Sequence, residues 1–248
     1  MIMKNAMKQI DERIKSFFLS GLFLLCLSLS VSAQTAGANV KTSSVVELYD
    51  ESGKPMSTPG KKNVTGSPML NPDWGSGTIF FKNGKVTTFM EIQLNLQKNE
   101  LYFRREGKSF LFTDTVSGFR IIYAQENLVY NDIFRSGYPE TGRNKSTHFY
   151  QLLVDGKEIQ LLADRYKQLV DAYTYAGGEK STYREDEALY IFDVAKGKMT
   201  EIKNLKNAKS TIMSAFPGRK NDINQVCEQQ KLGMKTREDV IALIKGLQ

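Results

Sequence analysis

The residues able to do chemistry in this chain are few. It has one histidine, His148, and two cysteines, Cys26 and Cys227. A Ser-His-Asp relay would have to run through His148, which stands beside Thr147 at the start of an apolar run, and no Gly-x-Ser-x-Gly elbow exists to expose a nucleophile. A lone histidine at a strand start reads as a packing or surface residue. Zinc sites built from several His and Cys ligands need more of both than this chain offers, and no cofactor is expected. Cys227 falls on the apolar side of a helical pattern. A buried, inert thiol is expected there, because reactivity needs exposure and basic neighbours.

Paired carboxylates offer a second chemistry. Glu185-Asp186-Glu187 is the dense acidic run, flanked by Tyr183 and Tyr190. Glycosidase-type sites need two carboxylates facing each other across a cleft; a charged strand edge that discourages aggregation accounts for the run more simply. Phosphate cradles of the Gly-x-x-x-x-Gly-Lys-Ser/Thr or Gly-x-Gly-x-x-Gly type are missing, as is the Asp/Asn ladder of a calcium loop. The chain therefore reads as non-catalytic, with a hydrolase built on Glu185 and Glu187 as one alternative.

Aromatic residues point to binding instead. Trp74 is the only tryptophan and directly precedes the first clear strand. It either plugs one end of a sheet or offers an aromatic platform, and packing is the commoner role. Tyr102, Tyr173 and Tyr175 lie with several other tyrosines on predicted strands. A tyrosine-bearing face would suit a glycan, a peptide or a partner sheet, against the competing reading of ordinary cross-strand pairing. Trp74, Tyr102, Tyr173 and Tyr175 are the candidate ligand-binding residues.

The elements that position these residues begin after an N-terminal address. Residues 1–16 are polar and basic overall, residues 17–31 form an apolar run of fifteen, and Val31-Ser32-Ala33 supplies the small residues of a cleavage site. Export with cleavage after Ala33 is expected, to the periplasm or the exterior. No membrane span would then remain, and one cysteine leaves no intramolecular disulfide. The whole chain of 248 residues carries +7, and the part after Ala33 carries +5. That spread of charge suits a mildly basic surface and not a nucleic-acid groove.

Residues 34–72 are rich in Ser, Thr, Gly, Pro and Lys and read as an exposed lead-in with one short strand at Val45–Tyr49. Residues 73–204 then read as an antiparallel β-meander. Asn83-Gly84 predicts a type I′ hairpin between Gly77–Lys82 and Lys85–Leu96. Met90, Ile92, Leu94 and Leu96 alternate with Glu91, Gln93 and Asn95, giving one buried and one wet face. Short turns lead to strands at Leu101–Arg105, Ser109–Thr113, Phe119–Ala124 and Leu128–Phe134, each expected beside its predecessor. The polar stretch Ser136–Ser146 reads as an internal boundary, and Asp155-Gly156 as a second hairpin, joining His148–Val154 to Ile159–Leu162. Residues 163–176 fit a long strand better than a helix, with Gly177-Gly178 as the loop to Leu189–Val194 and Lys198–Ile202 closing the sheet.

Residues 205–248 change period to that of two or three short helices packed on the sheet. Asn221-Asp222 is placed to cap one of them, and Thr236-Arg-Glu-Asp239 to form a capping box on the last. The fold class is mainly β (α+β), an antiparallel meander forming an open sheet or partly closed barrel.

The strand ending in Lys-Asn-Gly, the Ile-Gln-Leu-Asn-Leu strand, the Leu-Tyr-Phe strand and the Phe-Tyr-Gln-Leu-Leu-Val-Asp-Gly-Lys block together resemble a family of exported β-rich proteins from Gram-negative bacteria with no established activity. The resemblance runs from about Ser67 to Leu247. It implies export and the β-plus-helix layout, and brings no functional residues. The expected function is a non-catalytic role at the cell envelope with a protein, glycan or lipid partner; a carrier with an apolar cavity enclosed by the sheet is the other alternative.

Overall fold

The computed structural model describes residues 48–49, 55–56, 64–112, 115–142, 144–173 and 179–248. In chain order the strands are β1 (Leu48–Tyr49), β2 (Pro55–Met56), β3 (Val64–Thr65), β4 (Gly75–Phe81), β5 (Val86–Asn95), β6 (Glu100–Arg105) and β7 (Lys108–Leu111). They continue as β8 (Val116–Gln125), β9 (Leu128–Arg135), β10 (Tyr150–Asp155), β11 (Ile159–Tyr173), β12 (Glu179–Asp193) and β13 (Lys198–Ile202). Three short helices follow: α1 (Ala208–Ala215), α2 (Lys220–Gln229) and α3 (Arg237–Gly246).

The strands form one open, mixed sheet in the order β13-β12-β11-β10-β9-β8-β4-β5-β6-β7-β1-β2, with β3 attached to β12. The β1–β7 and β3–β12 pairs are parallel. This departs from a simple meander at one seam. β8 does not lie beside β7; it takes the free edge of β4, with Ile79 opposite Phe119 and Ser76 opposite Ile122. β4 thereby becomes an interior strand, and its Ile79 is fully buried with Phe119 and Ile121.

Turn chemistry explains several registers. Gly84 has positive φ but Asn83 does not, and the Gly84 N–H donates to Phe81 O at 3.0 Å. The loop is thus a three-residue turn ended by a left-handed glycine, not the expected type I′. The two-residue loops with both residues at positive φ are Glu106-Gly107 and Glu126-Asn127. They join β6 to β7 and β8 to β9.

Residues 163–173 continue β11 as a strand, and β11 and β12 pair without a break from Ile159–Asp193 to Tyr173–Glu179. Gly177-Gly178 lies outside the described residues. On one face of this ribbon, Leu161, Ala163, Leu189 and Ile191 pack against Ile212, Ile223, Val226, Leu243 and Ile244 of the helices. Each such aliphatic side chain contributes about 1.5–3 kcal/mol by burial. α3 begins with the predicted capping box: Thr236 Oγ1 accepts from the Asp239 N–H at 3.1 Å, and Asp239 Oδ2 accepts from the Thr236 N–H at 3.2 Å. α2 starts at Lys220 and has no side-chain cap, so Asn221 and Asp222 sit in its first turn and not at its cap.

On the other face of the ribbon, Tyr138, Tyr150, Leu162 and Tyr190 form a separate cluster. The stretch read as an internal boundary covers this face. Tyr138 meets Tyr150 and Phe192 edge-on, at 5.7 and 5.1 Å between ring centres, and its hydroxyl donates to Gln160. No described helix is long and apolar enough to cross a membrane.

Candidate functional site

The site starts from a missing strand partner. Residues 68–70 run in line with β4 along the edge of β5: the Leu70 N–H donates to Leu94 O and the Leu96 N–H to Pro68 O, both at 2.8 Å. Between this strap and β4, residues 71–74 leave the lane. Gln93 fills the vacated position, its Nε2 donating to Asn71 O at 3.0 Å and Pro72 O at 3.4 Å. Gln93 is thereby buried, and Asn95, whose Oδ1 accepts from the Gln97 and Lys98 N–H groups, is buried at the following turn, so the expected wet face of β5 is covered at this end. Leu70, 1% exposed, belongs to the core with Ile79, Ile92 and Leu94, which corrects the reading of residues 34–72 as wholly exposed.

The excursion deprives β8 of a neighbour. Its ladder with β4 ends at Ile122, and Tyr123, Ala124 and Gln125 are paired with β9 alone. A cleft of about 670 Å³ opens between the tip of the β8–β9 hairpin and the strap, lined by Met69, Asn71, Asp73, Ala124, Glu126 and Lys167 among others. Asn71 is buried, its Nδ2 donates to Asp73 O, and its Oδ1 has no hydrogen-bond partner among the described residues. A buried amide oxygen left without a donor costs about 1–3 kcal/mol.

Lys167 of β11 closes the cleft. Its Nζ donates to Met69 O at 2.5 Å and stands 3.6 Å from Glu185 Oε2. Burial holds the ammonium below the ordinary lysine range, with Glu185 working in the opposite direction. Its other flank borders a second cleft of about 430 Å³, bounded by Asn99, Asn144, His148 and Tyr166. There His148 Nε2 meets Asp164 Oδ1 at 2.8 Å, and Asn144 Nδ2 donates to Asp164 Oδ2 at 2.8 Å and to the Tyr150 hydroxyl at 3.1 Å. Asp164 is 2% exposed. The histidine is thus held in a polar network that fastens residues 141–148 onto the sheet.

The acidic run is spoken for by cations. Arg165 Nε and Nη2 both donate to Glu185 Oε1, at 2.9 and 2.5 Å, and Arg165 Nη1 lies 3.5 Å from Asp132. Glu187 pairs with Arg237 of α3 at 3.0 Å. Cys227 is a free thiol buried under α3, and burial pushes its pKa up.

Of the aromatic candidates, Trp74 is half-buried on the excursion with the Arg104 guanidinium 5.8 Å from its ring centre. Tyr102 is buried at 1% exposure, its hydroxyl donating to Glu100. Tyr173 ends β11 opposite Glu179, and Tyr175 lies outside the described residues. Neither Trp74 nor Tyr102 is among the residues that line the cleft, although Trp74 directly follows Asp73, which does line it. Asn71, Ala124, Glu126 and Lys167 escaped sequence reading because each is ordinary in its own segment; the one hint was Met69-Leu70, an apolar pair set between prolines. No family model, no curated protein and no solved structure matches this chain.

Proposed function

We propose that the chain is exported, loses residues 1–33, and works at the cell envelope as a non-catalytic binding protein whose partner seats in the cleft between the strap and the β8–β9 hairpin. The observation that carries this reading is the open cleft where β8 loses its β4 neighbour after Ile122, leaving Ala124 paired with β9 alone. Support for a binding role over a hydrolytic one comes from the engagement of the reactive side chains. His148 is tied to Asp164, Glu185 to Arg165 and Lys167, and Glu187 to Arg237. The interior between β4, β5, β8 and β9 is filled by Ile79, Ile92, Leu94, Phe119 and Phe134, which favours a surface cleft over an enclosed lipid cavity.

The test has two parts. Fractionation should recover a chain starting at Gln34 outside the cytoplasm. Carboxyl footprinting should then show Glu126, exposed at the rim of the cleft, labelled readily in the purified protein and protected when envelope extract is added. Equal labelling of Glu126 with and without extract would sink the cleft reading.

A further inference from the structure

Two strand edges face this cleft, and they are not equivalent. On the strap, Pro68 O and the Leu70 N–H point to β5, so the main-chain groups of Met69 point away from it. Both are capped from within, the N–H by Ser67 Oγ at 3.2 Å and the carbonyl by Lys167 Nζ. Among the described residues the β8 edge has no such cap. Gln125 and Leu128 close the two-residue Glu126-Asn127 turn. In a hairpin of that kind the closing pair is hydrogen-bonded, and an antiparallel ladder alternates from there. The Ala124 N–H and C=O are therefore directed away from β9, into the lane that β4 vacates at Ile122. They form one free donor–acceptor pair, spaced as a neighbouring strand requires.

The charges around this pair are also unbalanced. The carboxylates of Asp73 on the strap side and Glu126 on the turn have no hydrogen-bond or ion-pair partner among the described residues, while Lys167 is matched to Glu185. Glu126 holds positive φ, +50°, in a turn position that suits Asn better. The backbone pays for a carboxylate at the rim of the cleft.

Resting on the cleft reading above, we propose that the occupant is an extended peptide segment of a partner protein, which adds as a short strand beside Ala124 and sets a Lys or Arg between Asp73 and Glu126. The free main-chain pair selects an extended backbone, and the two carboxylates select a basic side chain.

The probes are blocked pentapeptides, Ac-Thr-Val-Lys-Val-Thr-NH2, the same peptide with Glu for Lys, and the Lys peptide methylated at its central amide, with a neutral trisaccharide as a fourth ligand. Binding to the chain from Gln34 to Gln248 is followed by amide NMR. The Lys peptide should shift Ala124 and Glu126 and slow exchange of the Ala124 amide. Charge reversal and N-methylation should each weaken it at least tenfold. Ala124→Pro removes only an outward N–H at a sheet edge and should abolish binding with the fold kept. Glu126→Asn should raise Tm while weakening the Lys peptide several-fold, a combination that loss of structure cannot produce. Equal affinity for the methylated peptide, or unchanged binding by Ala124→Pro, would overturn strand addition. Shifts at Ala124 from the trisaccharide alone would overturn the peptide class and leave the cleft reading standing. Silence from all four ligands while envelope extract still protects Glu126 from carboxyl labelling would do the same.

Discussion

Asn99 and Phe149 are joined across fifty residues of chain by two hydrogen bonds: Asn99 Oδ1 accepts from the Phe149 N–H at 2.7 Å, and Asn99 Nδ2 donates to Phe149 O at 3.1 Å. Asn99 ends the β5–β6 loop at φ +56°, and Phe149 precedes β10. One amide side chain therefore acts as a strand partner between two halves of the sheet. Asn99→Gly keeps the backbone conformation and removes both bonds, an expected loss of about 1–3 kcal/mol. Asn99→Ala adds the cost of a left-handed alanine, roughly 1 kcal/mol more. Urea unfolding of both variants checks the order; equal stability of Asn99→Gly and the parent would show that the bridge contributes nothing.

Buried tyrosines set the alkaline limit. Tyr123, Tyr138 and Tyr190 are each pushed up to about 12, first by burial. In the unfolded chain they titrate near 10. A raised pKa means that the folded state holds its protons longer, so stability is intact below about pH 10 and falls as pH rises from there through 12. Absorbance of tyrosinate should lag behind that of free tyrosine over this window and then jump with the loss of near-ultraviolet circular dichroism. Smooth titration of all tyrosines near pH 10 in folded protein would contradict it.

The capping box of α3 makes an acid-side counterpart. Hydrogen bonds from the Lys235 and Thr236 backbone amides hold the Asp239 carboxyl below the usual aspartate range. Its depressed pKa contributes stability above about pH 4 that is lost as pH falls through the folded value. Thr236→Ala should cost about 1 kcal/mol and Thr236→Ser much less. Thermal melts at pH 7 distinguish them, and a Thr236→Ala variant that melts with the parent would show the cap to be idle.

The Glu126-Asn127 turn is open to improvement. Asn then Gly is the preferred pair for its two positive φ angles, so the double substitution Glu126→Asn, Asn127→Gly should stabilise by roughly 1–2 kcal/mol. A gain in the urea midpoint without change in slope is the expected result, and a loss would mean that the native side chains hold the hairpin tip in some other way.

What could be read beforehand follows from how local each cause was. The alternation Met90, Ile92, Leu94, Leu96 located β5, and the Thr236–Asp239 spacing located the start of α3, because both depend on neighbours in the chain. Gln93 was misread as wet since what covers it, residues 71–72, comes from outside the meander, and Asn95 since its side chain turns back onto the β5–β6 loop. The site was illegible for the same reason. Asn71, Ala124 and Lys167 gain meaning only from the seam between β4 and β8 and from the reach of β11, and nothing in the local composition announces either.

That seam also orders events in time. Nearly every neighbouring pair in the meander is a hairpin that forms as soon as its two strands exist. β4 and β8 are different: Phe81 must find Val116 across the two hairpins made by β5, β6 and β7. Closing this loop carries the larger entropic cost and gives no contact until it is done. The vacated lane beyond Ile122 does not exist before the seam has zipped, so the cleft is a property only of molecules in which β4 and β8 have already paired.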